Sequence, residues 1–254
     1  MQYKFAKEQP DYSDLASGRV LYSLPGHPAF PVRLASEIFQ RCLAQRERIY
    51  QVSTPGTLYD PCCGAAYHLS VLAYLHPEHL REVIASDIDE KAVALAERNL
   101  GLLHPEGMGH RVHELSELLE QYGKESHREA LRSASRLQEN LSAFTEKSPI
   151  KTRVFQAGAL DRNAILTHIQ PHSVDILFTD VPYGRHSQWS AADLNESPNP
   201  LTAMLDAVLD VLSPSSVVAV ASDKGQKAAH ERFQRVEHFQ VGKRRVAILR
   251  PIQD

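Results

Sequence analysis

The chain has 254 residues, of which 43% are hydrophobic and 23% are charged, and its formal net charge at pH 7 is −3. This is the composition of a globular protein, and it excludes a wholly disordered chain. The longest apolar runs, such as Val217–Ala221, are far shorter than the roughly 20 residues of a membrane span, and residues 1–8 lack the apolar core of a secretory signal. We therefore expect a single cytoplasmic domain over residues 1–254 that has no membrane partner and acts as a monomer.

The predicted elements begin after an N-terminal arm. The first thirty residues are polar and interrupted by Pro and Gly, which is typical of a loop rather than of core structure. Apolar residues then recur at helical spacing (Leu34, Ile38 and Cys42) and predict a helix, which Pro55-Gly56 ends. Residues 1–56 are therefore interpreted as an arm and a helix that precede the first strand.

Strands and helices alternate along the rest of the chain. This alternation predicts an α/β fold with a mostly parallel seven-stranded sheet, helices on both faces and ligands beyond the carboxyl ends of the strands. A polar, mainly helical segment over residues 104–150 is predicted as an insertion after the second strand and its helix. The predicted strands are Thr57–Asp60, Glu82–Asp87, Thr152–Ala157, Val174–Thr179, Val217–Ser222 and an antiparallel C-terminal hairpin of Phe233–Gln240 and Arg245–Arg250. Of the other predicted helices, one follows the first strand and ends near His76. The other three span Glu90–Leu103, Arg162–His168 and Leu201–Leu212.

A turn suited to ligand binding follows the first predicted strand, with the sequence Asp60-Pro61-Cys62-Cys63-Gly64-Ala65-Ala66. Gly64 has no side chain, so the backbone there can approach a ligand closely, and the N–H groups of the next helix face the same crevice. Asp87 ends the following strand, where a carboxylate can accept both hydroxyls of a ribose. Small residues and acids also occur at the strand ends of other α/β proteins, so each feature is weak by itself.

A third motif follows the fourth predicted strand, with the sequence Thr179-Asp180-Val181-Pro182-Tyr183-Gly184. Asp180 and the Val181 carbonyl could accept the hydrogens of an exocyclic base amine and so return electron density to its nitrogen. Tyr183 would stack on the base, and Pro182 would fix the turn. A tight surface turn with a packing tyrosine is the alternative interpretation of this motif alone.

The three motifs, in this order, resemble class I S-adenosylmethionine-dependent methyltransferases that modify base amines. The chain is more closely similar to the avilamycin-resistance ribosomal RNA methyltransferases of the AviRa type, and the resemblance covers residues 13–190. Its Pro28–Arg41 block is specific, since methyltransferases in general lack it. The resemblance rests on Leu24–Ala35, Glu37–Arg41, Asp60–Gly64, Val83–Asp89 and Thr179–Gly184.

This resemblance implies a Rossmann-like class I methyltransferase fold, S-adenosyl-L-methionine as cofactor and a guanine of large-subunit ribosomal RNA as target. The chemistry of the third motif favours the exocyclic amine and leaves ring N1 open. In the implied roles, Asp60 and Gly64 hold the methionine part of the cofactor, Asp87 binds the ribose and Ile88 lies against the adenine. The implied cofactor-binding residues are Asp60, Pro61, Cys62, Gly64, Asp87, Ile88, Gly158 and Asp180. The implied catalytic residues are Asp180, Val181, Pro182 and Tyr183.

Contacts to RNA are predicted at three places, although the net charge is slightly acidic. Arg185 and Trp189 directly follow the third motif, where a flipped base would enter. On the inserted helix, Arg128 and Arg132 lie one turn apart, with ion pairing to nearby glutamates as the alternative. At the tip of the C-terminal hairpin, Lys243 and Arg244 could clamp a phosphate or could protect a sheet edge. We expect no metal, because no set of cysteines and histidines has the spacing of a zinc site.

Several alternatives remain open from the sequence. The same scaffold could methylate a DNA adenine or a protein glutamine, which also present an NH2 group. The turn reads Gly64-Ala65-Ala66 where the family has Gly-x-Gly, and Gly158 stands where the family tends to have an acid, with Asp161 the nearest. These departures suggest a non-catalytic RNA-binding module that has lost cofactor binding. A nicotinamide dehydrogenase is disfavoured, since its Gly-x-Gly-x-x-Gly motif is lacking.

Overall fold

A seven-stranded sheet organises the computed structural model, which describes residues 3–23, 29–145, 149–181, 199–223 and 225–252. The strands are β1 (Gly56–Asp60), β2 (Leu80–Asp87), β3 (Lys151–Gln156), β4 (Val174–Asp180), β5 (Leu212–Asp223), β6 (Phe233–Val241) and β7 (Arg244–Pro251). The helices are α1 (Val32–Tyr50), α2 (Tyr67–Leu75), α3 (Glu90–Gly101), α4 (Pro105–Tyr122), α5 (Glu125–Thr145), α6 (Arg162–His168) and α7 (Pro200–Val208).

The strand order is β3-β2-β1-β4-β5-β7-β6, with β1 to β5 parallel and β7 antiparallel to both of its neighbours. The chain builds outwards from β1 to β3 on one side and then returns to place β4 on the other side of β1. In an open α/β sheet, ligands bind at this reversal, beyond the carboxyl ends of the strands. The predicted α/β class, with its mostly parallel sheet and antiparallel C-terminal hairpin, is confirmed.

Strand β1 is buried on both faces of the sheet, and its successive residues point to opposite sides. Leu58 of β1 packs into an apolar cluster with residues of α1, α2 and α3. The next residue, Tyr59, packs into a second cluster with residues of α6 and α7. Burial of β1 on both sides fixes the position of its last residue, Asp60, at the carboxyl edge.

The N-terminal arm contributes to a third apolar cluster, which corrects the expectation that residues 1–30 lie outside the core. Leu15, Val20 and Leu21 are buried against α4 and α5. The arm is also pinned by the buried Glu37, whose carboxylate accepts the N–H groups of three consecutive residues at 2.7–2.8 Å. The sequence did not reveal this because apolar arm residues are scattered among polar ones and show no period.

Strand β5 begins five residues earlier than the sequence predicts. The predicted helix Leu201–Leu212 instead ends at Val208, a 3₁₀ turn follows over Leu209–Val211, and Leu212 pairs with Val174. The Ser-Pro-Ser-Ser run after Leu212 is typical of a loop. Here two of its polar groups find partners, since Arg46 Nε donates to the Ser215 carbonyl and the Ser213 hydroxyl donates to Asp175.

The described ranges contain no helix that is both long and apolar enough to cross a bilayer.

Candidate active site

Three aspartates end neighbouring parallel strands at the carboxyl edge of the sheet. Asp60 ends β1, Asp87 ends β2 and Asp180 ends β4. Strand β1 pairs in parallel with both of the other strands, so all three aspartates lie at the same edge of the sheet. These are three of the residues that the sequence nominates, and the fold brings them together at the reversal of strand order.

The turn after β1 is shaped by two of these carboxylates. Asp60 Oδ1 accepts the Cys62 N–H at 2.9 Å, and Asp87 Oδ2 accepts the Gly64 N–H at 2.8 Å. Gly64 has φ +53°, and a Cβ placed on it would meet no atom within 4 Å. The backbone at Gly64 therefore borders open space at the edge of the sheet, as a turn that cradles a ligand requires.

Ala66 also has a left-handed backbone, with φ +52° and ψ +30°, and it caps the N-terminus of α2. Its side chain is fully buried within the same apolar cluster as Leu58. The methyl group therefore packs into the core and does not occupy the open space beside Gly64. An L-residue in this conformation costs roughly 1–2 kcal/mol, and core packing of the methyl group offsets part of that cost.

The edge between β2 and β3 presents an exposed apolar side chain. Ile88 is 52% exposed, although it is a large hydrophobic residue. Its backbone is held because the Gln156 side-chain amide donates to the Ile88 carbonyl at 2.9 Å and the Ala157 N–H donates to the Asp87 carbonyl at 3.1 Å. A Cβ on Gly158 would lie 3.8 Å from Ile88 Cδ1, so Gly158 borders the same surface.

Asp161, the acid nearest to Gly158, has a structural role. Its Oδ1 accepts the Ala164 N–H at 2.9 Å and so caps the N-terminus of α6. Capping by an aspartate satisfies one of the otherwise unpaired N–H groups of a first turn.

The floor of the site is electrostatically unusual. Burial raises the pKa of Asp60 to about 7, although the Thr179 side chain and the Cys62 N–H favour the ionised form. Burial also raises the pKa of Asp87, against the N–H groups of Asp89 and Gly64 that it accepts. Two carboxylates are therefore held where negative charge is costly, and a cationic ligand would relieve that cost.

His68 is a buried partner of this floor that the sequence analysis missed. Its Nε2 lies 3.3 Å from Asp60 Oδ2 and 3.3 Å from the Phe178 carbonyl oxygen. Burial lowers the pKa of His68, while the charge of Asp180 acts in the opposite direction. The only signal in the sequence was a histidine at the start of an otherwise apolar helix, which is more often a core residue.

At the end of β4, Asp180 lies beside Arg244, which the sequence analysis placed at the tip of the C-terminal hairpin. Arg244 Nη2 is 3.9 Å from Asp180 Oδ2, and the Arg244 guanidinium carbon lies 5.0 Å from the centre of the Phe30 ring. Next to Asp180, Val181 is buried and its N–H donates to the Ala221 carbonyl at 3.0 Å. The backbone at Val181 is thus held by β5.

The remaining nominated residues fall into four groups. Pro61 is buried and Cys62 packs partly buried beside the second apolar cluster. On α5, Arg128 and Arg132 both form ion pairs with Glu125, so their positive charge is partly compensated. Lys243 is exposed at the hairpin turn. Pro182, Tyr183, Arg185 and Trp189 lie outside the described residues.

Metal coordination finds no support in the part of the chain that the structure describes. No cluster of three or more histidine, cysteine, aspartate or glutamate side chains there could hold a metal ion.

Comparison with known proteins gives matches over nearly the full length. A family model described as rRNA methyltransferase AviRa matches residues 1–244. The chain is 40% identical over 248 residues to the 23S rRNA (guanine(2535)-N(1))-methyltransferase of Streptomyces viridochromogenes, covering 98% of this chain and 95% of that protein.

Solved structures agree with the sequence match. Two structures of the rRNA methyltransferase AviRa from Streptomyces viridochromogenes, at 2.4 and 1.5 Å, are 38% identical to this chain and give TM-scores of 0.83 and 0.84. Each match covers 98% of this chain and 96% of the chain in the solved structure. A putative methyltransferase from Escherichia coli, yhhF, is 12% identical over 90% of each chain with a TM-score of 0.50, a likeness of fold alone.

Proposed function

The chain belongs to the rRNA methyltransferase AviRa family, and from this membership we propose that it transfers a methyl group from S-adenosyl-L-methionine to ring N1 of a guanine in 23S ribosomal RNA. The observation that carries the proposal is the meeting of Asp60, Asp87 and Asp180 at one edge of the sheet, beside the open space at Gly64. The substrate and the position come from the name of the Streptomyces relative.

The proposed position differs from the one that the third motif favours. The sequence argument prefers the exocyclic amine and leaves ring N1 open, whereas the relative's name specifies N1. Ring N1 of guanine carries a single hydrogen, which must leave when the methyl group arrives. One carboxylate is sufficient to accept that proton, and Asp180 is the residue that we propose for this role.

The residues at the edge fit S-adenosyl-L-methionine. When bound, this group supplies an electrophilic methyl on a positively charged sulfur. Asp87 uses one acceptor site on each oxygen for Gly64 and Asp89, and a carboxylate has about four such sites, so acceptors remain for two ribose hydroxyls. The exposed Ile88 side chain offers an apolar surface for adenine. Asp60 and the turn at Gly64 would hold the charged methionine end.

Ala66 and Gly158, which suggest a module without cofactor binding, do not obstruct this arrangement. The Ala66 methyl group is buried in the core cluster, away from the open space at Gly64. Gly158 adds no side chain beside Ile88 and therefore leaves that surface accessible. We therefore propose that the scaffold binds its cofactor and is active.

Asp180 is the proposed proton acceptor for the target base. Its position at the end of β4 is fixed on both sides, since β4 pairs with β1 and β5 and the next N–H bonds to Ala221. We propose that Val181, Pro182 and Tyr183 continue the base-binding loop, with Arg185 and Trp189 contacting RNA. Since ribosomal RNA is the proposed substrate, we also propose that the protein acts in the cytoplasm. The monomeric state stays a prediction.

Two measurements test the proposed function. Calorimetry on the purified, cofactor-free protein should give S-adenosyl-L-methionine binding in the micromolar range. Incubation of an unmethylated 23S rRNA transcript with the labelled cofactor, followed by nucleoside mass spectrometry, should then yield 1-methylguanosine. N2-methylguanosine as the product would refute the proposed position, and no binding by the folded protein would favour the RNA-binding module.

The Asp180→Ala variant provides the matched test of the proposed base. Proton transfer by a positioned side chain contributes about 10²–10⁴-fold to a rate. We expect kcat to fall by roughly 100-fold or more. A variant with undiminished kcat would rule out Asp180 as the proton acceptor.

A further inference from the structure

Arg244 is the first residue of β7. A phosphate clamp would extend from the hairpin tip into solvent, whereas the Arg244 side chain does not. The Arg244 side chain is 24% exposed, whereas the neighbouring Lys243 is exposed to solvent. Strand β5 lies between β7 and β4, with Arg244 opposite Asp223 and Asp180 opposite Ala221. The Arg244 side chain therefore reaches across the end of β5 towards Asp180, the proposed proton acceptor.

We propose that Arg244 is a further catalytic residue, which donates to carbonyl oxygen O6 of the target guanine while Asp180 accepts the N1 proton. Arg244 would then recognise guanine and stabilise the negative charge that develops on its O6 as N1 loses its proton. This inference rests on the proposed function, and in particular on methylation at N1.

The geometry suits a shared ligand better than a closed ion pair. The 3.9 Å between Arg244 Nη2 and Asp180 Oδ2 is within ion-pair range but longer than a hydrogen bond. Within the described part of the chain, Arg244 Nε is buried without a hydrogen-bond partner. The guanidinium therefore keeps a donor that no protein group satisfies there, and an arginine always carries its charge.

Two aromatic rings support the Arg244 guanidinium. The Arg244 guanidinium lies over the Phe30 ring, and Phe30 in turn packs edge-to-face on Phe178 with ring centres 5.6 Å apart. Phe178 belongs to β4, two residues before Asp180. The arginine and the aspartate are thus positioned by the same strand, as recognition of two adjacent atoms on one base requires.

The charge pattern selects guanine over adenine. The guanine edge places a donor, N1–H, next to an acceptor, O6, which complements a carboxylate beside a guanidinium. Adenine reverses the pattern, with an acceptor at N1 and an NH2 donor at position 6. An adenine would therefore place its amine against Arg244 and its N1 lone pair against Asp180, and both contacts would be unfavourable.

The chemistry of the step balances without any additional reactant. The N1 proton passes to the Asp180 carboxylate, and its electron pair forms the N1–methyl bond as the bond from sulfur to methyl breaks. The electrons of that broken bond stay on sulfur. While N1 is losing its proton, negative charge is shared with O6, and a fixed cation there lowers the barrier.

The test compares Arg244→Ala and Arg244→Lys with an Arg250→Ala control. Arg250 lies on the same strand, β7, and its Nε donates to Gln234, so its loss removes equal charge away from the site. For Arg244→Ala we expect kcat to fall by about 100–1000-fold, as for loss of one oxyanion donor. The KM for a 23S rRNA transcript should stay within about threefold, and Arg244→Lys should recover part of the rate by restoring a charged donor.

The pH profile separates this role from a merely structural one. Between pH 7 and 9.5, the rate gap between wild type and Arg244→Ala should narrow, because hydroxide helps to remove the N1 proton when the cation is missing. A gap that closes between pH 5 and 7 would instead assign the effect to ionisation of a carboxylate in the site and overturn the proposal.

RNA binding provides the second readout. If Arg244 contacts a phosphate, Arg244→Ala should bind RNA more weakly than wild type in filter binding without cofactor. Its binding should also depend on salt by about one ion less. That result, combined with an unchanged kcat, would overturn the proposal in favour of a phosphate clamp. If wild type itself forms no 1-methylguanosine, the proposed function fails. If wild type forms it and Arg244→Ala matches wild type, only the role of Arg244 fails.

Discussion

Replacing Asp60 with asparagine should stabilise the cofactor-free protein. Asp60 is fully buried, and burial raises its pKa from 3.8 to about 7. Between these two pH values the folded protein binds more protons than the unfolded chain, so its stability falls as pH rises. The full shift corresponds to about 4 kcal/mol above pH 7, which Asp60→Asn would recover at most. Asparagine keeps an acceptor for the Cys62 N–H, so we expect roughly 2–4 kcal/mol at pH 8.

Urea denaturation of wild type and Asp60→Asn between pH 4 and 8.5 measures this effect. The difference in unfolding free energy should be small near pH 4, grow up to pH 7 and then level off. Asp89→Asn is the matched control, since Asp89 is exposed and asparagine also caps α3, so this substitution removes a carboxylate without relieving burial. A flat difference for Asp60→Asn, or one that favours wild type as pH rises, would refute the argument.

The same carboxylate should make cofactor binding depend on pH. If the cationic methionine end binds the ionised form of Asp60, affinity should rise with pH up to about 7 and then level off. Calorimetry in two buffers of different ionisation enthalpy should show proton release at pH 6 and little at pH 8. In Asp60→Asn the affinity should be weak and nearly independent of pH over this range. Proton uptake on binding at pH 6 would contradict the assigned role.

Three further substitutions test the architecture around the site. Gly64→Ala, at φ +53° beside open space, should cost about 1–2 kcal/mol of stability but raise the cofactor Kd by roughly tenfold or more, as calorimetry would show. Ile88→Ser should leave unfolding within about 0.5 kcal/mol, because the side chain is largely exposed, yet raise the Kd by about three- to tenfold. Asn99→Ala removes hydrogen bonds to both backbone groups of Tyr22 and to the Ala65 carbonyl, so we expect a loss of about 2–4 kcal/mol in urea denaturation. An unchanged Kd for Gly64→Ala and Ile88→Ser would place the cofactor elsewhere, and an unchanged stability for Asn99→Ala would show that the arm is not anchored there.

The fold was predictable because its signals are local. Each central strand is an apolar run bounded by Gly, Pro or Asp, and the alternation with helices specifies a parallel sheet. The meeting of the candidate cofactor residues was predictable for the same reason, since Asp60 and Asp87 end strands that must meet at one edge. Residues at the carboxyl ends of neighbouring parallel strands lie at the same edge of the sheet, so their place in the sequence is sufficient to predict that they lie close together.

Residues whose roles depend on distant packing were not predictable. Leu15 and Val20 lie in a segment without periodicity and become core only through α4 and α5. Arg244 looked like a hairpin-tip cation, and its position next to Asp180 follows from the register of β5 against β7. His68 gave no signal beyond its type, because its partner Asp60 approaches it only in the folded chain. In each case the missing information is a long-range contact that one sequence cannot supply.

The distribution of charge explains how a protein of net charge −3 can be suited to act on RNA. Asp60 and Asp87 form an anionic floor that favours a cationic ligand, while Arg244 places positive charge beside the third carboxylate, Asp180. An anionic floor alone would repel the phosphates of RNA and would oppose the negative charge that develops on a guanine as it loses its proton. One arginine on an aromatic support, within 4 Å of the proposed proton acceptor, counters both effects at the place that we propose for the base. Attraction to RNA in general is then weak, and specificity depends on the few contacts that recognise the base.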